Sequence, residues 1–154
     1  MQPPVSQGRV AFTSRDELGE GIAALLAKGV GAYPSIKPRT DKNIILLTSL
    51  DTDTLEDLVR ALARGTGRDL PIEYLSPEEW VEESARDDEG GKPRGWFEAA
   101  LALFEGFNKG DGETVDGALA TLLGRRPERG VDGVERLVRE DSQFRWHQNH
   151  MGRT

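Results

Sequence analysis

The sequence predicts an α/β domain: a small three-stranded, mainly parallel sheet with flanking helices, followed by a helical second half. Three observations carry that expectation. Short apolar runs alternate with amphipathic stretches up to residue 76, the alternation that generates β-α-β crossovers. The amphipathic stretches open on serine or acidic caps and close on glycine. Beyond Pro93 no strand-like run remains, and apolar residues recur at helical spacing. One domain over 1–154 follows, with a β/α part at 1–76 and a mainly helical part at 77–154.

Val10 to Phe12 form the first expected strand. Ser14 and Glu17 then spell an S-x-x-E capping box, and Leu18, Ile22, Leu25 and Leu26 make one helical face running to about Lys28. "GVGAYPSIKPRTDK" is too broken by glycine and proline for a regular element. Ile44 to Leu47 is a continuous apolar run, which predicts a strand buried on both faces. Asp53 with Glu56 opens the next helix, Leu55, Leu58, Val59 and Leu62 follow, and Gly65 or Gly67 stops it.

Ile72 to Leu75 is the third expected strand. Ser76-Pro77-Glu78-Glu79 is a clear helix start, with a serine cap, proline in the first turn and acids against the dipole. That helix carries Trp80 and Val81 and fades into "ARDDEGGKPRG". "WFEAALALFEGF" puts Trp96, Ala100, Leu103 and Phe107 on one stripe and Phe97, Leu101 and Phe104 on the next. An apolar arc that wide predicts burial on more than one side. "DGALATLLGRRP" is a short helix closed by Gly124, and a final helix contains Val134, Leu137 and Val138.

Gly19-Glu20-Gly21-Ile22-Ala23-Ala24 reads as G-x-G-x-x-A, a form of the dinucleotide fingerprint. That fingerprint needs its glycines in the turn between strand and helix, where a pyrophosphate approaches bare backbone. Here the helix already starts near Ser14, so both glycines fall inside it. Close packing against a neighbour explains them better than phosphate. Tyr33 and Lys37 match Y-x-x-x-K, but Pro34 and Pro38 deny them the shared helix that this pairing needs. His147 and His150 have a metal-compatible spacing but no accompanying ligands, and a frayed tail explains them. "DDEGG" lacks the calcium-loop pattern. G-x-S-x-G, Walker and H-E-x-x-H sequences are absent.

The formal net charge of −7 argues against nucleic acid or an anionic membrane as a main partner. Arg125, Arg126 and Arg129 form the notable basic cluster, read as a solvated helix end. The absence of cysteine excludes disulfides and thiolate chemistry. No apolar run reaches the roughly 18 residues of a spanning helix, and "MQPPVSQG" lacks a signal-peptide core. The expected location is the cytoplasm.

Taken in order, the segments resemble a known family. "GRVAFTSRDELGEGIAALLAKG" resembles the V-A-(F/W/Y)-(T/V)-S-R-(D/E)-(D/E)-(L/I)-A stretch of NmrA-like proteins, which are atypical short-chain dehydrogenase-like NAD(P)-binding proteins. "IILLTSLDTDTLEDLVRALARGTGRDLPIEYLSPEEW" is similar to the family's next strand, helix, turn and strand, with its S-P-E-E helix start. "LLGRRPERGVDGVERLV" is similar to the closing G-R-x-P segment and final helix. These segments correspond to the family's C-terminal half, and the Rossmann half with its glycine-rich turn has no counterpart. The resemblance implies a truncated NmrA-like fold related to NAD(P)H-dependent reductases and dinucleotide-binding regulators, without the means to hold the nucleotide itself.

The first functional expectation is therefore a cofactor-independent small-molecule enzyme derived from an NmrA-like reductase, an isomerase, cyclase or rearrangement catalyst of the kind used in secondary metabolism. Its substrate would lie against Trp96, Phe97, Phe104, Trp80 and Tyr74, with no cofactor and no metal. Asp16, Glu98 or Glu105 would supply a proton from a carboxyl group raised by an apolar wall, and Arg15 would orient an oxygen. The alternatives are a non-catalytic binding or regulatory module, or one half of a split NAD(P)H-dependent reductase. Sheet edges and apolar faces left uncovered by the missing half predict a homodimer.

Overall fold

The computed structural model describes residues 7–37, 44–88 and 91–140. Among them the helices are α1 (Arg15–Lys28), α2 (Leu55–Thr66), α3 (Pro77–Asp87), α4 (Arg94–Asn108), α5 (Ala118–Leu123) and α6 (Gly130–Glu140). A 3-10 turn at Val30–Ala32 follows α1.

The expected three-stranded sheet does not form, and the fold is helical rather than α/β among the described residues. In place of a sheet, Val10 and Asp53 make one isolated antiparallel bridge. Each donates its N–H to the other's carbonyl, at 2.9 and 3.0 Å. Ile44–Leu47 forms no strand, and of the run from Ile72 only Leu75 takes part in a bridge. An apolar run reports burial, whereas a strand also needs a neighbour for its N–H and C=O groups. Ile45 and Leu47 take their burial from a cluster of Ile36, Ala118 and Leu122, joined by Leu25 and Tyr33. Helices, not strands, are their neighbours.

The helix starts show how local signals are used. Ser76 is the expected serine cap, and Glu79 completes a capping box with it: the Glu79 N–H donates to Ser76 Oγ at 3.3 Å, and the Ser76 N–H to Glu79 Oε2 at 2.9 Å. For α2 the cap is Thr54, not Asp53. Its hydroxyl accepts from the Asp57 N–H at 3.1 Å, and Asp57 Oδ2 accepts from the Thr54 N–H at 3.0 Å. That backbone hydrogen bond holds the Asp57 carboxyl below the usual range. The expected Ser14–Glu17 box is absent, because Ser14 makes no side-chain cap and Glu17 is buried on other partners.

The helices pack in pairs, α2 on α6, α1 on α5 and α3 on α4. Gly21 sets the α1–α5 approach: a Cβ there would lie 2.7 Å from Leu119 Cδ1. Gly65 does the same for α2 and α6, where a Cβ would lie 3.0 Å from the Glu135 carbonyl oxygen. The α3–α4 pair is tied to the remainder by its ends. The N–H groups of Gln7 and Gly8 donate to Asn108 Oδ1 at 3.0 and 3.2 Å, and the Ala11 N–H donates to the Gly112 carbonyl at 2.9 Å.

Candidate functional site

The aromatic residues gather between α3 and α4. Phe97 and Phe104 lie seven residues apart, hence on one face of α4, and Trp80 of α3 meets both edge-on. The ring centroids are 6.1 Å apart at 70° for Trp80–Phe97 and 5.3 Å at 76° for Trp80–Phe104. Phe107 continues the series from Phe104 at 6.2 Å, and Trp96 stands edge-on to Phe97 at 5.1 Å. Phe97 is buried, whereas Trp96 remains 51% exposed at the rim. The Lys92 ammonium lies 4.9 Å from the Trp96 ring centroid. Asp88 holds Lys92 in place, accepting from its backbone N–H at 2.8 Å and from Nζ at 3.2 Å.

Trp80, Trp96, Phe97 and Phe104 are thus brought together, and the remaining candidates are placed elsewhere. Tyr74 donates its hydroxyl to Glu56 Oε2 at 2.8 Å, and this bond to a carboxylate raises the phenol above its ordinary value. Glu98 is exposed and accepts from Arg94 Nε at 2.9 Å. Glu105 is exposed on the same helix, and Arg15 and Asp16 are exposed in the first turn of α1. Tyr33 follows the 3-10 turn rather than sharing a helix with Lys37, and its hydroxyl donates to the Ala24 carbonyl at 3.4 Å. His147 and His150 lie outside the described residues, as does part of the "DDEGG" stretch. Among the described residues no group of three or more His, Asp or Glu side chains is placed to hold a metal.

The feature that the sequence reading missed is the loop between α5 and α6. Its arginines are exposed, as expected of a solvated end, but each is also ion-paired across the fold, and together they act as a clamp. Arg125 reaches Glu17 and Glu20 on α1, and Glu17 also accepts the Glu128 N–H on both oxygens at 3.1 and 3.0 Å. Arg126 Nη2 meets both Asp51 oxygens at 2.9 and 2.8 Å. Arg129 donates from Nε to Asp53 Oδ1 at 2.8 Å and adds a second bond from Nη2. Asp53 is 1% exposed, and the bond to its carboxylate raises the Arg129 guanidinium further. Arg136 of α6 holds the Glu128 carboxyl low through two 2.9 Å bonds. Three arginines in an otherwise acidic chain, each within reach of a different acidic segment, were the available signal.

The nucleotide test is decisive for the G-x-G-x-x-A letters. Both glycines lie inside α1, and Gly21 is buried against Leu119 and Leu122, where no phosphate approaches. Those two glycines do not form a pyrophosphate site. A shallow groove on α6 lined by Asp132, Glu135, Arg136, Arg139 and Glu140 is occupied by their own ion pairs. No helix among the described residues is long and apolar enough to cross a membrane.

No family model matches the chain. It is 38% identical over 141 residues to an NmrA-like family domain-containing oxidoreductase of Aspergillus flavus, an alignment covering 92% of this chain and 43% of that relative. The chain therefore spans less than half the length of the curated relative it matches. Among solved structures it is similar to the Citrobacter sp. triphenylmethane reductase, with a TM-score of 0.67 at 18% identity over 91% of this chain and 44% of that one. It is likewise similar to an NADPH-dependent quinone oxidoreductase of Escherichia coli complexed with NADPH, with a TM-score of 0.67 at 16% identity over 89% and 44%. The resemblance to NmrA-like proteins therefore holds over nearly the whole chain, and it is a resemblance to part of such a protein.

Proposed function

We propose that this chain, similar to part of an NmrA-like oxidoreductase, is the substrate-side portion of an oxidoreductase, and that it offers the Trp96 rim to a planar organic electron acceptor. The carrying observation is the aromatic ladder of α3 and α4, which is buried at Phe97 and opens at Trp96 under a fixed ammonium. A flat conjugated ring stacks on such a rim, and the neighbouring cation favours one rich in oxygen acceptors. The similar structures are named for triphenylmethane and quinone reduction, both of which concern conjugated organic compounds. The nucleotide would be held by residues that this chain does not supply, since both glycines of the G-x-G lie inside α1 and Gly21 packs against Leu119. This reading takes precedence over a cofactor-independent isomerase or cyclase. That chemistry needs a carboxyl group walled off from water, whereas Asp16, Glu98 and Glu105 are all exposed.

Menadione titrated against tryptophan fluorescence tests the proposal, alongside NADPH. Saturable quenching by menadione, abolished by Trp96→Ala, together with no response to NADPH, is expected. NADPH binding by the chain alone, or menadione quenching indifferent to Trp96→Ala, would overturn it.

A further inference from the structure

The ammonium beside the aromatic rim lies deeper than the ring it faces. Lys92 and Asp88 pair at 3.2 Å with only 10% and 6% of their side chains exposed, whereas Trp96 is half in water. An ion pair that far out of water recovers little of its desolvation cost, so stability is a poor reason for keeping it there. Its placement is specific. Asp88 ends α3 and Lys92 comes just before α4, so the pair ties together the two helices that carry the rings. One carboxylate oxygen of Asp88 accepts the Lys92 backbone N–H and the other accepts its ammonium, which fixes both ends of the lysine. Nζ is thereby kept 4.9 Å from the centroid of the Trp96 ring. Arg94, the next cation along the chain, is turned instead to Glu98 at 2.9 Å and Glu82 at 3.9 Å.

We infer that Lys92 sets specificity at this rim, and that it selects a flat conjugated acceptor bearing an ionised oxygen: a hydroxyquinone rather than a neutral quinone or a cationic dye. The inference rests on the acceptor-site reading above. A ring stacked at Trp96 brings its own substituents to the distance at which Nζ already meets the indole. Opposite charges attract several-fold more strongly in such a partly desolvated place than in bulk water. The chain as a whole works the other way. At a formal net charge of −7 it repels anions at long range, so a preference for an anionic acceptor has to come from a local cation.

Titration of the full chain with lawsone, menadione and lawsone methyl ether, read by tryptophan quenching, tests it. The three share one naphthoquinone ring, and only lawsone is an anion at neutral pH. Lawsone is expected to bind about tenfold more tightly than the other two. Lys92→Met should shrink that preference below about twofold, Lys92→Arg should retain it, and Arg94→Gln should leave it unchanged. Far-UV circular dichroism establishes that each variant is folded. Where Lys92→Met is not, Lys92→Gln takes its place, and in the wild type the preference should narrow as sodium chloride is raised to about 0.5 M. Equal affinities for the three compounds, or a lawsone preference that survives loss of the Lys92 charge, overturn the inference and leave the acceptor site standing. No saturable quenching by any of them, or quenching indifferent to Trp96→Ala, removes the acceptor site itself and the inference with it.

Discussion

The clamp loop and the aromatic helix pair solve opposite problems. Between α5 and α6, charged groups that sit at least partly out of water are given partners: Glu17, Asp51 and Asp53 each receive an arginine. Between α3 and α4 almost no polar group is involved, and packing rests on rings meeting edge to face. Directional bonds tolerate one arrangement, so the clamp fixes how α1, the 51–53 segment and α6 sit together. The ring cluster is bounded on one side by a half-exposed tryptophan, which leaves it a place to receive something flat. Order lies in one region and receptivity in the other.

Substitutions can break this comparison region by region. The largest expected effect is from Phe97→Ala, which empties a buried aromatic site and should cost about 3 kcal/mol, read as a lowered urea midpoint with loss of near-ultraviolet tryptophan signal. Glu17→Ala leaves the Glu128 N–H without its acceptor and Arg125 with Glu20 alone. A loss of about 2 kcal/mol is expected, with hydrogen exchange accelerating in α1 and α6 before α3 and α4. A fully protected α6 in that variant would show that the clamp is not what holds it.

Acid sharpens the same contrast. Glu128 and Glu135 are held below the ordinary carboxylate range by hydrogen bonds from Arg136 and Arg64 respectively. A carboxyl lowered in the folded state contributes stability above its unfolded pKa, about 4.3, and loses it as pH falls through the folded value. Protection in α6 should therefore decline below about pH 4, while the edge-to-face ring signal outlasts it. Ser76→Ala should cost about 1 kcal/mol through the lost cap, measured by the same urea series. The smallest stability change, below about 0.5 kcal/mol, belongs to Trp96→Ala, because its side chain is half in water; its effect should appear in menadione binding instead.

Much of this was legible in the residues, where the signal was local. Ser76-Pro77-Glu78-Glu79 specified the start of α3 without reference to anything outside itself. The spacing of Phe97 and Phe104 placed both rings on one face. Gly19 and Gly21 were both read as packing glycines; Gly21 lies against Leu119, whereas among the described residues nothing lies within 4 Å of a Cβ at Gly19. Non-local partnerships were not legible. The letters Ser14 and Glu17 promise a capping box, but Arg125, 108 positions away, and the Glu128 N–H take Glu17 instead. Asp53 looks like a cap and is turned inward to Arg129, leaving the role to Thr54. Val10–Phe12, Ile44–Leu47 and Ile72–Leu75 are apolar as strands are, but no periodicity states which backbone will supply the hydrogen bonds.

The separation in sequence between Glu17 and Arg125 bears on the order in which the molecule assembles. α1 is made before the groups that neutralise its buried carboxylate, which come more than a hundred residues later. Closing so long a loop is slow compared with winding a helix, which takes microseconds or less. On a ribosome α1 must therefore wait, its Glu17 hydrated and its Gly21 face open, until the segment from Leu119 to Glu128 emerges. Folding ends where the clamp shuts.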